Sequence, residues 1–270
     1  MCIPSDPSKT IAAVFLLPAC DMGCTFCASD LGFDRMGFGQ ACELIQGLWD
    51  AGYRILVLGG GEPALWRDGV KRLSDLGLFA QGLGFVVQVN TNGIRLGEGF
   101  ESRSGIDRYI FPMDGASAAR HDSLRVVLGP EPDGHFEVVQ ERVKACVRAG
   151  RSFSIGTVLT SKNLGELSDL IDWMRARVAE GAQIHAWHLY RFQAVGRGGK
   201  SAGAELAISS TDFRALCDRA KAAGLPFPVW RRDDMIRSTT VEYFWFQDGS
   251  LRVGTQEWGR EPGSLPSTGS

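Results

Sequence analysis

The chain has 270 residues, with 29 Lys and Arg against 31 Asp and Glu, so its formal net charge at pH 7 is only −2. Its sequence contains no basic tract and no apolar run of membrane-spanning length, which argues against nucleic-acid binding and against a transmembrane protein. The first ten residues lack the charged-then-apolar layout of a secretion signal, and we expect a cytoplasmic protein. Seven cysteines in such a chain do not predict a disulfide framework.

Apolar runs typical of buried strands alternate with helical patterns, as in a mostly parallel sheet wrapped by helices. The predicted strands are Ile11–Pro18, Arg54–Gly59, Phe85–Asn90, Asp107–Met113, Phe153–Thr160 and Ile184–Phe192. The predicted helices are Gln40–Ala51, Leu65–Leu76, His135–Ala149 and Leu164–Ala179. Near the C-terminus, Glu242–Gly254 reads as a hairpin that turns at Asp248-Gly249. We therefore predict an α/β fold, an incomplete (β/α)6 TIM-like barrel with a small C-terminal β-hairpin extension.

Four segments follow from this pattern. Residues 1–10 form an N-terminal segment, and residues 11–200 form the barrel core. Residues 201–258 are predicted to contribute a helix and the hairpin, which complete or cover the barrel. Residues 259–270 are rich in Gly, Pro and Ser and are predicted to be a disordered tail.

Three cysteines follow the first predicted strand: Cys20, Cys24 and Cys27, in the spacing CxxxCxxC, with no fourth cysteine on the same loop. Three thiolates can hold three irons of a cubane [4Fe–4S] cluster, which four cysteines usually bind, and leave the fourth iron open to another ligand. A zinc site or three buried structural thiols are the alternatives. Zinc sites usually show paired CxxC knuckles or nearby histidines, and the nearest histidine is His121. The spacing therefore favours a cluster with an open, reactive position.

Each of the next three strands also ends in a loop of glycine or polar residues. Gly59–Gly61 and Glu62 follow the second strand, Asn90–Gly93 follows the third, and Met113–Gly115 ends the fourth. In barrels of this kind the active site lies at the carboxyl ends of the strands, so we expect these loops to meet the cysteine loop. Ordinary turns are the alternative for two of them, because Pro63 suits a helix start and Asn-Gly suits a tight turn.

Together these motifs resemble those of the radical S-adenosylmethionine (radical SAM) superfamily, over roughly residues 11–200. The matching strings are the cysteine loop with Phe26, GGGEP at Gly59–Pro63, NTNG at Asn90–Gly93, MDG at Met113–Gly115 and HDSLR at His121–Arg125. One position departs from the family pattern, since Pro112 stands where the family often has a serine. Proline donates no hydrogen bond, so any contact made by that serine is missing or supplied elsewhere.

The resemblance implies a role for each matched residue. Cys20, Cys24 and Cys27 would bind one [4Fe–4S] cluster, whose open iron would bind S-adenosylmethionine (SAM). The implied SAM contacts are Phe26 at the adenine, Gly60, Gly61 and Glu62 at the ammonium, Asn90 and Asn92 at the ribose, and Asp114 and Arg125. Arg125 is a candidate partner for the methionine carboxylate; the alternative is a solvated surface arginine.

The sixth predicted strand gathers basic and aromatic residues. By alternation, His185 and Arg191 share one face, whereas His188 and Tyr190 share the other, and one of the two faces points into the barrel. With Arg197 shortly after the strand, these side chains favour an anionic substrate, a carboxylate or phosphate. Aromatic packing outside the barrel, with the basic residues in solvent, is the alternative.

The resemblance implies an enzyme that cleaves SAM to a 5′-deoxyadenosyl radical and abstracts hydrogen from a small polar biosynthetic metabolite. It also implies a low-potential electron donor of flavodoxin or ferredoxin type, because the cluster must work near the low end of the Fe–S range. A peptide-modifying maturase that uses a separate recognition protein is the first alternative. An Fe–S electron-transfer or sensing protein is the second, but it leaves GGGEP and NTNG unexplained.

Overall fold

The computed structural model describes residues 3, 8–29, 32–129, 134–233 and 238–254. In chain order its elements are β1 (Ile11–Phe15), α1 (Phe38–Asp50), β2 (Ile55–Gly59), β3 (Arg67–Asp68), β4 (Lys71–Arg72), α2 (Leu73–Leu83), β5 (Val86–Asn90), β6 (Arg108–Pro112), α3 (Ala118–Leu124), α4 (His135–Arg148), β7 (Phe153–Leu159), α5 (Leu167–Ala179), β8 (Ile184–Arg191), α6 (Gly196–Leu206), α7 (Ser210–Ala222), β9 (Val229–Arg232), β10 (Val241–Gln247) and β11 (Ser250–Val253). Within these ranges, no helix combines the length and apolar character needed to cross a membrane.

Nine of the described strands form one sheet in the order β11-β10-β1-β2-β5-β6-β7-β8-β9. In this sheet β11 runs antiparallel to β10, and the other pairings are parallel. The six strands from β1 to β8 lie side by side in chain order, and crossover segments, mostly helical, join them as parallel pairing requires. This topology confirms the predicted α/β class and the incomplete six-stranded barrel.

Alternation along the strands separates two faces of the sheet. On β1, Val14 belongs to the large core that packs against the helices. Ala13 and Phe15 point the other way, into a second cluster that includes Tyr243 and Trp245 of β10. We call the side of the sheet that carries this second cluster the inner face. Phe15 and Tyr243 lie there with ring centroids 5.8 Å apart.

The sheet is strongly curved. Burial raises the pKa of Tyr243 on β10, and Tyr190 of β8 and Arg232 of β9 also act on it. Five strands separate β10 from β8 in the sheet order. Charged groups nevertheless shift one another's pKa only when they lie a short distance apart. The inner face of the sheet is therefore concave, and residues near its two edges face one another across it.

The C-terminal hairpin forms as predicted. Asp248 and Gly249 both have positive φ, 51° and 72°, which is the geometry of a two-residue turn that matches the strand twist. Of the two hairpin strands, β10 pairs in parallel with β1 and so continues the sheet, while β11 lies at its edge. Residues 259–270, the predicted tail, lie outside the described residues.

The predicted helix Leu65–Leu76 is wrong. Residues 67–72 instead form the short hairpin of β3 and β4, with φ +55° at Gly69 in its turn, and α2 begins only at Leu73. The carboxylate of Asp75 accepts from the backbone N–H of Arg72 at 2.7 Å, which caps the helix at that point. Apolar spacing alone placed the helix too early, because the turn-forming Asp68-Gly69 pair interrupts it.

Candidate active site

The cysteine loop leaves β1 and is held by the end of α3 and the residues directly after it. The backbone N–H of Gly23 donates to the carbonyl of Val126 at 2.7 Å, and that of Thr25 donates to the carbonyl of Leu124 at 3.0 Å. The Thr25 hydroxyl also donates to the carbonyl of Leu124, which lies 99 residues later in the chain. The loop's shape therefore depends on the folded barrel and not on its own sequence alone.

The three thiols are partly shielded. Burial raises the pKa of Cys20 to about 12 and also raises the pKa of Cys24. Among the described residues, no three Cys, His, Asp or Glu side chains converge on one ion position. A zinc ion would need that convergence, whereas a cubane does not, because each thiolate binds a different iron. The other described cysteines, Cys42, Cys146 and Cys217, pack in or against the core.

Two arginines flank the cysteine loop. Arg125 Nη1 lies 3.9 Å from Cys24 Sγ. Arg197 donates to the carbonyl of Met22, and although burial lowers the pKa of Arg197, the nearby Cys27 raises it above the usual value. Both guanidinium charges favour the thiolate form, in which cysteine binds metal.

The start of α6 packs directly on the cysteine loop. Gly198 donates its backbone N–H to the carbonyl of Cys27 at 3.0 Å. A Cβ atom on Gly198 would lie 2.3 Å from the Cys27 nitrogen, and one on Gly196, where φ is +64°, would lie 2.2 Å from the Ala28 carbonyl carbon. Only glycine permits this approach. Arg197, predicted as a substrate contact, is held between these two glycines and lies beside the cysteines.

Glycine also lets the loop after β2 lie on the cysteine loop. Gly60 has φ +123°, and a Cβ on Gly61 would lie 2.1 Å from the carbonyl oxygen of Ala19. The backbone N–H of Gly61 donates to the carbonyl of Leu17 at 2.8 Å. The sequence predicts a close approach to a ligand here; the structure shows a close approach to the neighbouring loop.

Glu62 is the central buried acid of the site, with 1 % of its surface exposed. Its carboxylate accepts from the Ala64 N–H at 2.9 Å, from Thr91 Oγ1 at 2.6 Å and from the Asn92 N–H at 2.7 Å. Burial raises the pKa of Glu62 to about 7 despite these bonds. Among the described residues no Lys or Arg forms an ion pair with it. An ammonium group placed against this carboxylate would offset its desolvation.

The two asparagines at the end of β5 and in the loop after it differ in exposure and in contacts. Asn92 is buried, and its Nδ2 donates to Asp21 Oδ1 of the cysteine loop at 2.6 Å. Asp21 also accepts from Arg95 Nε at 2.8 Å. Asn90, at the end of β5, is exposed. Asn92 therefore joins two loops, while the Asn90 side chain is accessible.

Asp114 and Arg125 form a buried pair. Arg125 Nε donates to Asp114 Oδ2, and the Val158 N–H donates to Asp114 Oδ1 at 2.6 Å. The Arg125 side chain is 15 % exposed, and its guanidinium carbon lies 4.9 Å from the centre of the Phe26 ring. These contacts exclude the alternative of a solvated surface arginine. Asp114, with no exposed surface, fixes the direction in which Arg125 points.

Two histidines connect the loops after β5 and β6. The Asp114 N–H donates to His121 Nδ1 at 3.1 Å, so His121 carries its proton on Nε2 and donates to His135 Nδ1 at 2.8 Å. His135 must then donate from Nε2 to the carbonyl of Asn92, at 2.7 Å. This chain of bonds runs in one direction and fixes both tautomers. Burial lowers the pKa of His121 well below 6.5 and that of His135 to about 4, so both rings are neutral.

This histidine pair should make the cluster-free protein sensitive to acid. Because both pKa values are lowered by folding, the unfolded chain binds more protons below pH 6.5, and stability falls as the pH drops from there towards about 4. Between pH 6.5 and 5 the expected loss is about 2 kcal/mol for each imidazole. Urea unfolding of wild type and of the His121→Phe/His135→Phe double variant, at about pH 7.5 and 5, measures it.

The double variant should be less stable at the higher pH but should lose less on acidification. Glu62 contributes a slope of opposite sign, because its raised pKa costs stability as the pH rises from 4.5 through 7. That contribution cancels when the variant is compared with wild type. The exposed His185→Phe variant is the control and should keep most of the wild-type slope. An unchanged slope in the double variant would contradict the assignment of two neutral imidazoles.

Pro112 is tolerated where the ladder between β5 and β6 ends. The last backbone bond on that side runs from the Thr91 N–H to the carbonyl of Ile110, at 3.3 Å. Met113 donates towards β7 instead, to the carbonyl of Gly156 at 2.9 Å. Alternation directs the nitrogen of Pro112 to the β5 side, beyond the last bond, so its missing N–H costs no ladder bond.

A bulge in β8 changes the predicted faces of that strand. Phe153 pairs with Ile184 but Ser154 pairs with Ala186, so His185 has no partner in the register. His185 is exposed. The alternation that placed His185 and Arg191 on one face therefore does not hold across the bulge.

Beyond the bulge, His188 and Tyr190 lie on the inner face, with ring centroids 6.2 Å apart. Arg191 points away from them, since its Nε donates to the carbonyl of Asp233 at 3.1 Å and its Nη1 to Ser210 Oγ at 2.9 Å. Of the two faces left open by the sequence, the one with His188 and Tyr190 thus faces the barrel interior.

Residues 14–174 match the family model of the radical SAM superfamily. The chain belongs to the radical SAM superfamily. Members of this superfamily are enzymes that use a [4Fe–4S] cluster and SAM together with a reductant and a substrate, which confirms the predicted class and cofactors.

The curated relatives that the chain resembles include two kinds of enzyme. The chain is 26 % identical to an AdoMet-dependent heme synthase of Oleidesulfovibrio alaskensis, over 71 % of this chain and 48 % of that one. It is 24 % identical to an S-adenosylmethionine-dependent nucleotide dehydratase of Flammeovirga pacifica, over 74 % of this chain and 68 % of that one. The radical SAM chain thus spans about half the length of the heme synthase that it matches.

Solved structures share the fold. The Streptococcus suis protein SuiB, solved with S-adenosylmethionine, superposes with a TM-score of 0.66 at 15 % identity, over 90 % of this chain and 59 % of that one. The protein anSMEcpe with bound AdoMet superposes with a TM-score of 0.61 at 12 % identity, over 82 % and 63 % of the two chains. At these identities the likeness concerns the radical SAM fold alone.

The side chains of the site fit the two groups that radical SAM enzymes use. Three cysteines between two arginines suit an anionic cluster with one open iron. The buried carboxylate of Glu62, which has no cation partner among the described residues, suits the ammonium of SAM. The guanidinium of Arg125, already fixed by Asp114, suits a carboxylate.

Several residues that build this radical SAM site were not predicted. Asp21 connects the cysteine loop with Asn92, and His135 continues the bond chain from His121. Arg232 lies in β9, a strand of four residues that was not predicted because VWRR is too short to show a period. The one available signal was the position of Asp21, an acidic residue inside the matched cysteine loop.

Proposed function

We propose that this radical SAM enzyme reductively cleaves SAM at a [4Fe–4S] cluster held by Cys20, Cys24 and Cys27, and then abstracts hydrogen from a small polar metabolite. The observation that carries the proposal is the meeting of the cysteine loop, Glu62 and Arg125 at one rim of the barrel. A cluster-only electron carrier would have no use for a buried unpaired carboxylate beside its ligands.

The roles of the side chains follow from their surroundings. Glu62 would accept the ammonium of SAM, and Arg125, held by Asp114, would bind its carboxylate. Phe26 beneath Arg125 offers a ring for the adenine, and the accessible Asn90 offers an amide for the ribose. When bound, the cluster and SAM supply a 5′-deoxyadenosyl radical that takes hydrogen from unactivated carbon.

The inner face gives that chemistry a shielded surface. Phe15, Phe33 and Trp245 are buried there, with the Phe15 ring 5.7 Å from that of Phe33 and 6.3 Å from that of Trp245. Such an aromatic wall excludes water from the inner face. The side chains on this face thus favour reaction with substrate over side reactions.

Two considerations favour a small metabolite over a peptide. The sequence relatives carry names of heme and nucleotide enzymes. SuiB, which has been solved with a precursor peptide, shares only the fold with this chain. The electron donor that we propose is a flavodoxin- or ferredoxin-like protein, because cluster reduction needs a potential towards the low end of a range that reaches roughly −700 mV.

The test is anaerobic incubation of the reconstituted enzyme with SAM and dithionite, followed by chromatography for 5′-deoxyadenosine and methionine. We expect both products in equal amounts, even without substrate, at a slow uncoupled rate. The same preparation without reductant is the control. Protein that holds a full cluster but releases no 5′-deoxyadenosine would overturn the proposal and would favour an electron-transfer or sensing role.

A further inference from the structure

Four polar and aromatic side chains lie together on the inner face near the β9 edge of the sheet, and the SAM chemistry uses none of them. In the β8–β9 register, His188 pairs with Trp230 and Tyr190 pairs with Arg232. Residues that pair in this way project to the same side of a sheet, so all four share the face of His188 and Tyr190. Arg232 therefore lies on the same side of the sheet as Tyr190.

Arg232 differs from the arginine beside it. Arg231 points outward, where its guanidinium lies 3.2 Å from an Asp233 oxygen and 4.0 Å from an Asp218 oxygen. Arg232 has no carboxylate within ion-pair distance among the described residues. Its one hydrogen bond there joins Nη2 to His188 Nδ1, at 3.5 Å. Most of its N–H groups are thus left for a ligand.

His188 lies next to this guanidinium and does not compete with it for an anion. Burial, followed by the charge of Arg232, lowers the pKa of His188 to about 3, so the ring is neutral. Its Nδ1 accepts from Arg232, which leaves the proton on Nε2 as a further donor. The hydroxyl of Tyr190 adds a third donor on the same face.

The group is also accessible. Trp230 has 49 % of its surface exposed, and the Arg232 guanidinium carbon lies 5.8 Å from the centre of its ring. An exposed indole beside an unpaired guanidinium offers a flat apolar wall next to a charged fork. This combination suits an organic molecule that carries an anionic group better than it suits solvent alone.

The sheet register places this group at the height of the SAM site. Val158 pairs with Tyr190, which in turn pairs with Arg232. The same Val158 donates its N–H to Asp114, the carboxylate that orients Arg125 beside the cysteine loop. Neighbouring residues at the ends of β6, β7, β8 and β9 therefore lead from Asp114, beside the cofactor site, to Arg232.

We propose that Arg232, supported by His188 and Tyr190, binds an anionic group of the substrate, a carboxylate or phosphate, and so selects anionic metabolites. That the bound anion belongs to the substrate rests on the proposed function. The anion site itself follows from the contacts described above. The planar fork of Arg232 would bind two oxygens of the anion, and Trp230 would pack against the attached carbon skeleton.

The experiment is isothermal titration of the anaerobic, cluster-loaded enzyme with inorganic pyrophosphate and, separately, with succinate. Wild type should bind at least one of the two probes, and Arg232→Ala should weaken that binding about 10- to 100-fold. Arg232→Lys should restore little if two oxygens are bound together. Preferential binding of pyrophosphate indicates a phosphate on the substrate, and preferential binding of succinate indicates a carboxylate.

Arg231→Ala is the matched control, since it removes the same charge one residue away but on the outer face, and it should bind the probe within about twofold of wild type. Thermal unfolding and iron content show that each variant is folded and loaded. Absence of binding to wild type, or equal weakening in both alanine variants, would overturn the site. If wild type binds the probe through Arg232 but forms no 5′-deoxyadenosine, the proposed function fails and the anion site stands.

Discussion

Replacing Cys20, Cys24 and Cys27 together with alanine is expected to abolish cluster binding. Wild type reconstituted without oxygen should hold about four irons and four sulfides per chain. The triple variant should hold almost none, because the other described cysteines, Cys42, Cys146 and Cys217, lie in or against the core and not on the loop. Iron and sulfide analysis, together with the visible absorption of the cluster, measures the loss.

The chain supplies its own controls. Cys42→Ala and Cys146→Ala each remove a thiol that packs in or against the core, and both should keep the full iron content. Both variants lose some packing, so iron is compared per folded chain. Full iron content in the triple variant, or its loss in Cys42→Ala, would contradict the assignment of the three ligands.

Replacing Glu62 with glutamine is expected to weaken SAM binding about 10- to 150-fold, since a charge-assisted hydrogen bond contributes roughly 1.5–3 kcal/mol. The change removes the negative charge that would face the ammonium and keeps the size of the side chain. In wild type the carboxylate of Glu62 accepts from Ala64, Thr91 and Asn92. In the variant the amide NH2 group would face at least one of these donors. Equilibrium dialysis of SAM against the cluster-loaded protein gives the affinity.

A matched variant separates the lost charge from the disturbed loop. Thr91→Val removes one donor to Glu62 and leaves the carboxylate, so it should weaken SAM binding much less. Cluster content should be kept in both variants. Equal losses in both would mean that Glu62 acts by holding the loops together, and unchanged affinity in Glu62→Gln would remove it from the SAM site.

Much of the architecture could be predicted from the chain itself. Strands such as Ile11–Phe15 and Ile55–Gly59 show as uninterrupted apolar runs because both faces of the sheet are covered. Their order follows from the alternation with helices. The loops that carry Cys20 and Glu62 could be placed at one rim because parallel strands end at the same edge.

Other features depend on partners that no local pattern reveals. The bulge that leaves His185 unpaired arises from the pairing of β8 with β7, so alternation misplaced His185 but correctly put His188 and Tyr190 on one face. The bond chain from His121 to His135 connects residues 14 apart on two helices and ends on Asn92, 43 residues away from His135. Short β9, and with it Arg232, acquires its position only by pairing with β8.

The contact between α6 and the cysteine loop makes the helix and the cluster thermodynamically linked. Gly196 and Gly198 touch the backbone of Cys27 and Ala28, about 170 residues earlier in the chain. A ligand that binds the loop only in the folded protein also stabilises the segments on which the loop rests, by mass action. Cluster insertion should therefore stabilise the β8–α6 junction together with the loop.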